Sequence, residues 1–275
     1  MIFIILHVVG DCSILCRMIP LHILVTRPAP FGEELCQLFV AQGDKAIYLP
    51  TLNIVNLPVS PELVKAIKNI TEQDSLVFIS PQAVLSSMPL LRQYCSVIPV
   101  TTQIIAMGEG TAKLLRKAGL RVDVYPDKVY SSEELLNLFM LTAVAGKKIT
   151  LVRGEGGREI LQQLLAESGA IVSHIVTYRR VMPEIDMQPY RELLATHPWQ
   201  VTVCTSGESI KNLKQLFADA AWPALSVIPL IVVSERIKML AEDLGFQTIW
   251  VARQMSNSAL LECLAEKRQV LCQKS

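Results

Sequence analysis

Arg27 and Arg153 stand 126 residues apart, and the same offset joins Glu33 to Glu159, Gly43 to Gly169, Ser80 to Ser206, Gly119 to Gly245 and Ser132 to Ser258. Gly108 and Ser234 share it. Each member of a pair falls at the equivalent point of one local pattern: an apolar run, a short polar turn, then apolar residues at helical spacing. A single match would carry nothing, but this many in register point to a tandem duplication. A repeat of this length is too long for a solenoid, whose units recur every few tens of residues. Two similar domains are expected.

The local pattern sets the fold class. HILVTRPAPFGEEL, SLVFISPQAVLSS, QIIAMGEGTAKLLRKAGL, ITLVRGEGGREILQQLLAESGA, VTVCTSGESIKNLKQLF and LIVVSERIKMLAEDLGF each place a continuous apolar run before a helical pattern. Strands without alternation are buried on both faces, as in parallel sheets covered by helices. The class is α/β, with two doubly wound parallel sheets. Two stretches break the rhythm, 46–58 and 170–183, both extended, rich in β-branched residues and bounded by Pro. They read as two crossings, where the chain leaves one domain and later returns. That makes the first domain discontinuous, 21–50 plus 183–268, with the second at 57–172. Two consecutive domains cut near residue 147 respect the repeat equally well.

In doubly wound sheets, ligands bind beyond the C-terminal ends of the strands. The turns at Arg27, Ser80, Gly108 to Thr111, Arg153 to Arg158, Ser206 to Glu208 and Ser234 to Arg236 all belong there. Exposed backbone N–H groups and the helix dipole make each a weak anion site of about 0.3–1 kcal/mol. Ser, Thr and Gly at such positions also serve as ordinary helix caps. The turn RGEGGRE (153–159) tests for nucleotide chemistry and fails: a dinucleotide fingerprint from Gly154 needs Gly at 159, where Glu stands, and no G-K-[ST] occurs. Arg153 and Arg158 offer planar forks suited to carboxylates, or to ion pairs with Glu155 or Glu159. Tyr178 is an ionisable group at an inter-domain crossing. Its phenol can serve there as a general acid, worth about 10²–10⁴ in rate, or as a packing group.

Composition narrows what remains. With 51% hydrophobic and 19% charged residues the chain can bury ordinary cores, and a net charge of +1 gives no global attraction to nucleic acid. Seven scattered cysteines without a C-x-x-C pair indicate free thiols in a reducing cytoplasm. The four histidines lack ligand spacing, so no metal site is expected. The apolar N-terminus has no basic leading region and no cleavage pattern, is interrupted by Asp11 and is too short to span a bilayer. Residues 1–17 read as an extension before a natural start at Met18, and no membrane association is expected.

Taken in order, LVTRP (24–28), FISPQAV (78–84), AMGEGTA (106–112), LVRGEGGRE (151–159), TYRR (177–180), CTSGES (204–209) and VVSER (232–236) resemble the uroporphyrinogen-III synthase family of tetrapyrrole biosynthesis. The resemblance spans residues 21 to about 268. It implies a cytoplasmic monomer of two α/β domains joined by a two-stranded linker, the first domain discontinuous, and no metal or organic cofactor. It implies a small-molecule substrate, hydroxymethylbilane, a linear tetrapyrrole with acetate and propionate side chains. Loss of its hydroxyl gives an azafulvene, and ring closure through a spiro intermediate inverts the last pyrrole. By the same resemblance Tyr178 assists hydroxyl loss. Arg27, Ser80, Gly108, Thr111, Arg153, Gly154, Ser206, Ser234 and Arg236 line the substrate site. The chain departs from the family at Ile79, where many members carry a hydroxyl, and at Ser234–Arg236, where others have Gly-rich turns. A two-domain binder of anionic ligands without turnover is the competing class, and a nucleotide-binding protein the third.

Overall fold

The computed structural model describes residues 19–95, 97–126, 144–156, 159–217 and 221–272. Ser132, Arg158 and the 1–17 extension lie outside these. The chain divides into two compact units, one running up to Asn53 and resuming at Val181, the other Ile54–Arg180.

In the first unit, strands β1 (His22–Val25), β2 (Lys45–Tyr48), β8 (Val201–Val203), β9 (Leu230–Val232) and β10 (Ile249–Val251) form a sheet of order β10-β9-β8-β1-β2. Its pairs are parallel, with Ile23 against Ala46 on one side and Val201 on the other. Helices α1 (Phe31–Ala41), α6 (Gln188–Thr196), α7 (Gly207–Leu216), α8 (Trp222–Ser226), α9 (Glu235–Asp243) and α10 (Asn257–Cys272) accompany it. Neighbouring residues of β1 serve opposite cores: Leu24 joins Trp199, Ile210 and Phe217, whereas Ile23 and Val25 join Leu35, Phe39 and Leu260. Each such side chain, removed from water, contributes roughly 1.5–3 kcal/mol.

The second unit carries β3 (Asn53–Asn56), β4 (Ser75–Phe78), β5 (Gln103–Ala106), β6 (Lys148–Gly154) and β7 (Ile171–Val181) in the order β3-β7-β6-β4-β5. Helices α2 (Pro61–Lys68), α3 (Pro81–Tyr94), α4 (Glu109–Lys117) and α5 (Ile160–Glu167) belong to it. Leu76 and Phe78 pack with Ala83 and Leu115, while Val77 faces Ile149 and Leu165. The two stretches that break the rhythm are therefore strands: β2 edges the first sheet, and β3 and β7 lie side by side in the second.

Strands related by the 126-residue offset hold the same rank in both sheets: β2-β1-β8-β9 matches β7-β6-β4-β5. β10 matches the isolated bridge of Val124 to Ile105. This is the 2-1-3-4-5 order of doubly wound sheets. Each unit draws its first two strands from one repeat and the rest from the other. Local chemistry repeats too. Ser80 caps α3 by accepting from Ala83 N, and Ser206 caps α7 by accepting from Ser209 N. Gly43 and Gly169 end α1 and α5 at φ of 89° and 84°, a left-handed conformation that Gly adopts without strain.

One buried ion pair fixes the end of α10. Arg268 grips Asp44, whose side chain is fully buried and also accepts from Leu21 N at 3.0 Å.

Candidate active site

In the second unit the sequence-derived residues gather at the C-terminal ends of β4, β5 and β6. Opposite the Arg153–Gly154 step β7 gains one residue: Val176 pairs with Arg153, but Tyr178 pairs with Gly154. Without that shift Ile175 and Tyr178 would fall on opposite faces; with it they share one core cluster with Phe78, Ala83 and Val152. Tyr178 is 4% exposed, and its hydroxyl lies 3.1 Å from Ser80 Oγ. Ser80 thus holds the phenol while capping α3.

Gly154 is what lets the ring lie there. A Cβ at this position would stand 2.5 Å from both Cε2 and Cζ of Tyr178, closer than real Cβ contacts approach. The turn is further closed by Glu155 N donating to Tyr178 O at 2.6 Å. Arg153 donates through Nε to Gly154 O at 3.2 Å and through Nη2 to Gly156 O, so it braces the turn with its own guanidinium. Gly108, extended at φ 173°, caps α4 beside the Ser80 turn, since Met107 N donates to Phe78 O. Thr111 sits buried in the first turn of α4.

In the first unit Arg27 follows β1, Ser206 follows β8 and Ser234 caps α9 by accepting from Ile237 N. Arg236 Nη1 comes within 3.9 Å of where a Cβ on Gly207 would be. Arg27 is half-buried, and its Nη1 donates to Asn257 Oδ1 at 2.9 Å. Its guanidinium lies 4.8 Å from the Phe31 ring centroid. Burial lowers its pKa, and Glu34 opposes the shift.

Sequence reasoning missed Asn257, which is 230 residues from its partner, and no local signal marks it. It also missed Thr177, 1% exposed, whose Oγ1 has no hydrogen-bond partner among the described residues. His174 Nδ1 and Tyr48 Oη are likewise buried without partners among them. Desolvation, then Arg153, lowers the His174 pKa, with Glu159 opposing. Desolvation, then Glu33 and Cys36, pushes the Tyr48 phenol up to about 12. Among the described residues no cluster of three or more His, Cys, Asp or Glu is placed to hold a metal, and no helix is long and apolar enough to cross a membrane.

Hydroxyls, backbone N–H groups and guanidinium forks at helix starts suit carboxylates, and a phenol held by a serine suits proton donation to a leaving oxygen. A family model described as uroporphyrinogen-III synthase HemD matches residues 33–262. The uroporphyrinogen-III synthase of Escherichia coli (strain K12) is 33% identical over 247 residues, 89% of this chain and 100% of that protein. That of Salmonella typhimurium (strain LT2) is 35% identical over 249 residues, with the same coverage of each chain. Among solved structures, a mutant uroporphyrinogen III synthase from the extremely thermophilic bacterium Thermus thermophilus aligns over 93% of this chain and 100% of its own, with a TM-score of 0.59 at 18% identity, a likeness of fold.

Proposed function

This chain belongs to the uroporphyrinogen-III synthase family, and from that premise we propose how its residues carry out the family's reaction. It is a lyase that cyclises hydroxymethylbilane with loss of water and inversion of the last pyrrole ring, giving uroporphyrinogen III. The observation that carries the residue assignment is the Ser80–Tyr178 hydrogen bond over Gly154. Tyr178 donates a proton to the departing hydroxyl, and Ser80 orients the phenol for that donation. The azafulvene so formed is electrophilic enough to close unaided, so the enzyme's larger task is to hold the last ring in the inverting pose. Arg27, Arg153 and Arg236 receive substrate carboxylates. Ser206, Ser234, Thr111 and the backbone at Gly108 and Gly154 offer further hydrogen bonds.

The two compact units support taking 21–50 with 183–268 as one domain and 57–172 as the other. The enzyme works as a cytoplasmic monomer with neither nucleic acid nor membrane as partner, which sedimentation and fractionation check. Incubation with enzymatically made hydroxymethylbilane, oxidation of the products and chromatographic resolution of the porphyrin isomers tests the reaction. Type III product is expected, and type I alone would overturn the assignment.

A further inference from the structure

A cation withdrawn from water ordinarily meets a carboxylate, because desolvation costs several kcal/mol per ion unless an opposite charge offsets it. Arg27 departs from that rule. Among the described residues its guanidinium forms no salt bridge. Its one hydrogen bond among those residues goes to a neutral amide, Asn257 Oδ1 at 2.9 Å, and its central carbon lies 4.8 Å over the Phe31 ring. A guanidinium has five N–H donors, and this bond uses one. The acidic residue next in influence, Glu34, acts on it through space and is exposed on α1. By contrast, the structure elsewhere neutralises a half-buried arginine directly, setting Arg268 against Asp44.

We propose that Arg27, Phe31 and Asn257 form a carboxylate subsite, in which Asn257 is a positioning residue that fixes the guanidinium without neutralising it. An aspartate at 257 has nearly the same shape and would hold Arg27 more firmly, but it would occupy the charge that an incoming carboxylate needs. An amide gives the orientation and leaves the positive charge unmet. Phe31 sets its ring against the guanidinium, so the anion approaches on the side away from it, where the planar fork can form two parallel hydrogen bonds. The inference rests on the reading of Arg27 as a substrate residue and adds to it the group that keeps Arg27 competent.

The test separates charge from structure by comparing N257D and N257A with R27A, each measured for melting temperature and for kcat and KM of type III formation from hydroxymethylbilane. N257D keeps a hydrogen-bond acceptor and gains an ion pair, so it is expected to melt higher than N257A. It is nonetheless expected to show the higher KM, raised about tenfold, the factor equivalent to 1.4 kcal/mol, with kcat close to that of the parent. A purely structural asparagine gives the reverse order, with the better-folded N257D binding better. KM values that follow the melting temperatures would therefore overturn the proposal. A raised KM in R27A beside a native KM in N257D would remove Asn257 while leaving Arg27 as a ligand. A folded R27A with native KM would remove the Arg27 reading itself.

Discussion

Replacing Gly154 by Ala tests the arrangement around Tyr178 most directly. The added Cβ would stand 2.5 Å from Cε2 and Cζ of the ring and 3.0 Å from Cδ2. Ordinary contact begins near 3.4 Å, so the ring must retreat by about 1 Å. It has little room: Tyr178 is 4% exposed and shares its cluster with Phe78, Ala83, Val152 and Ile175. Overpacking of this kind costs roughly 1–3 kcal/mol. The same shift stretches the 3.1 Å bond to Ser80 beyond hydrogen-bond reach, a further loss of about 0.5–1.5 kcal/mol. The sum, about 2–4 kcal/mol, corresponds to a melting temperature lower by roughly 5–15 °C at 2–4 °C per kcal/mol. A misplacement of about 1 Å also costs about a hundredfold in rate when the moved group takes part in chemistry. Calorimetry gives the first quantity, and the initial rate of type III formation at a temperature where the variant is folded gives the second. A G154A protein that melts within about 2 °C of the parent and turns over normally would refute the contact and, with it, the idea that Gly154 seats the phenol.

Other perturbations separate the remaining contributions. Y178F deletes the hydroxyl but leaves Ser80 capping Ala83 N, so stability should fall by only about 1 kcal/mol while the rate falls about 10²-fold or more; an unchanged rate would make Tyr178 a packing residue. R268A strands the fully buried Asp44 carboxylate and should cost roughly 3–5 kcal/mol, read by denaturant titration. A cost below about 1 kcal/mol would mean the pair behaves as a surface bridge. His174 has a pKa below the ordinary 6.5, so the unfolded chain takes up its proton first as pH falls. Stability from keeping it neutral is complete above pH 6.5 and is lost as pH drops toward the lowered folded value. H174N should flatten that limb of the melting-temperature profile, and identical profiles would exclude His174 as its source.

What was legible in the sequence was local. Apolar runs ending at Arg27, Ser80 and Arg153 announce buried parallel strands because no charged residue interrupts them. Ser80, Ser206 and Ser234 announce helix starts because a hydroxyl there satisfies an orphan N–H. The ordered set of turns then carried the family. What was not legible depends on register or on distant partners. Alternation along β7 predicts that Ile175 and Tyr178 face opposite ways, and the extra residue that reverses this is visible only in the pairing with β6. From sequence Tyr178 reads equally as a phenol open to a cleft or as a packing group, and only the register shows that its ring is part of a core. Asn257 begins α10, and nothing near it in the sequence names an arginine 230 residues upstream.

The interleaving of the two repeats also governs how the molecule comes off the ribosome. The second unit is one uninterrupted stretch, Ile54–Arg180, and every strand of its sheet except the first residue of β3 and the last of β7 emerges within it. The first unit has no such freedom. β1 can pair at once with β2, but its other side awaits β8, whose Val201 meets Ile23. At about 5–20 residues per second, that partner arrives roughly 10–35 seconds later. For that interval the nascent chain displays the open edge of HILV, among the most apolar strands it makes, and an unpaired edge is a template for the wrong strand. The chaperone demand of this protein thus falls at its beginning, and it ends only when the last third of the polypeptide closes the sheet.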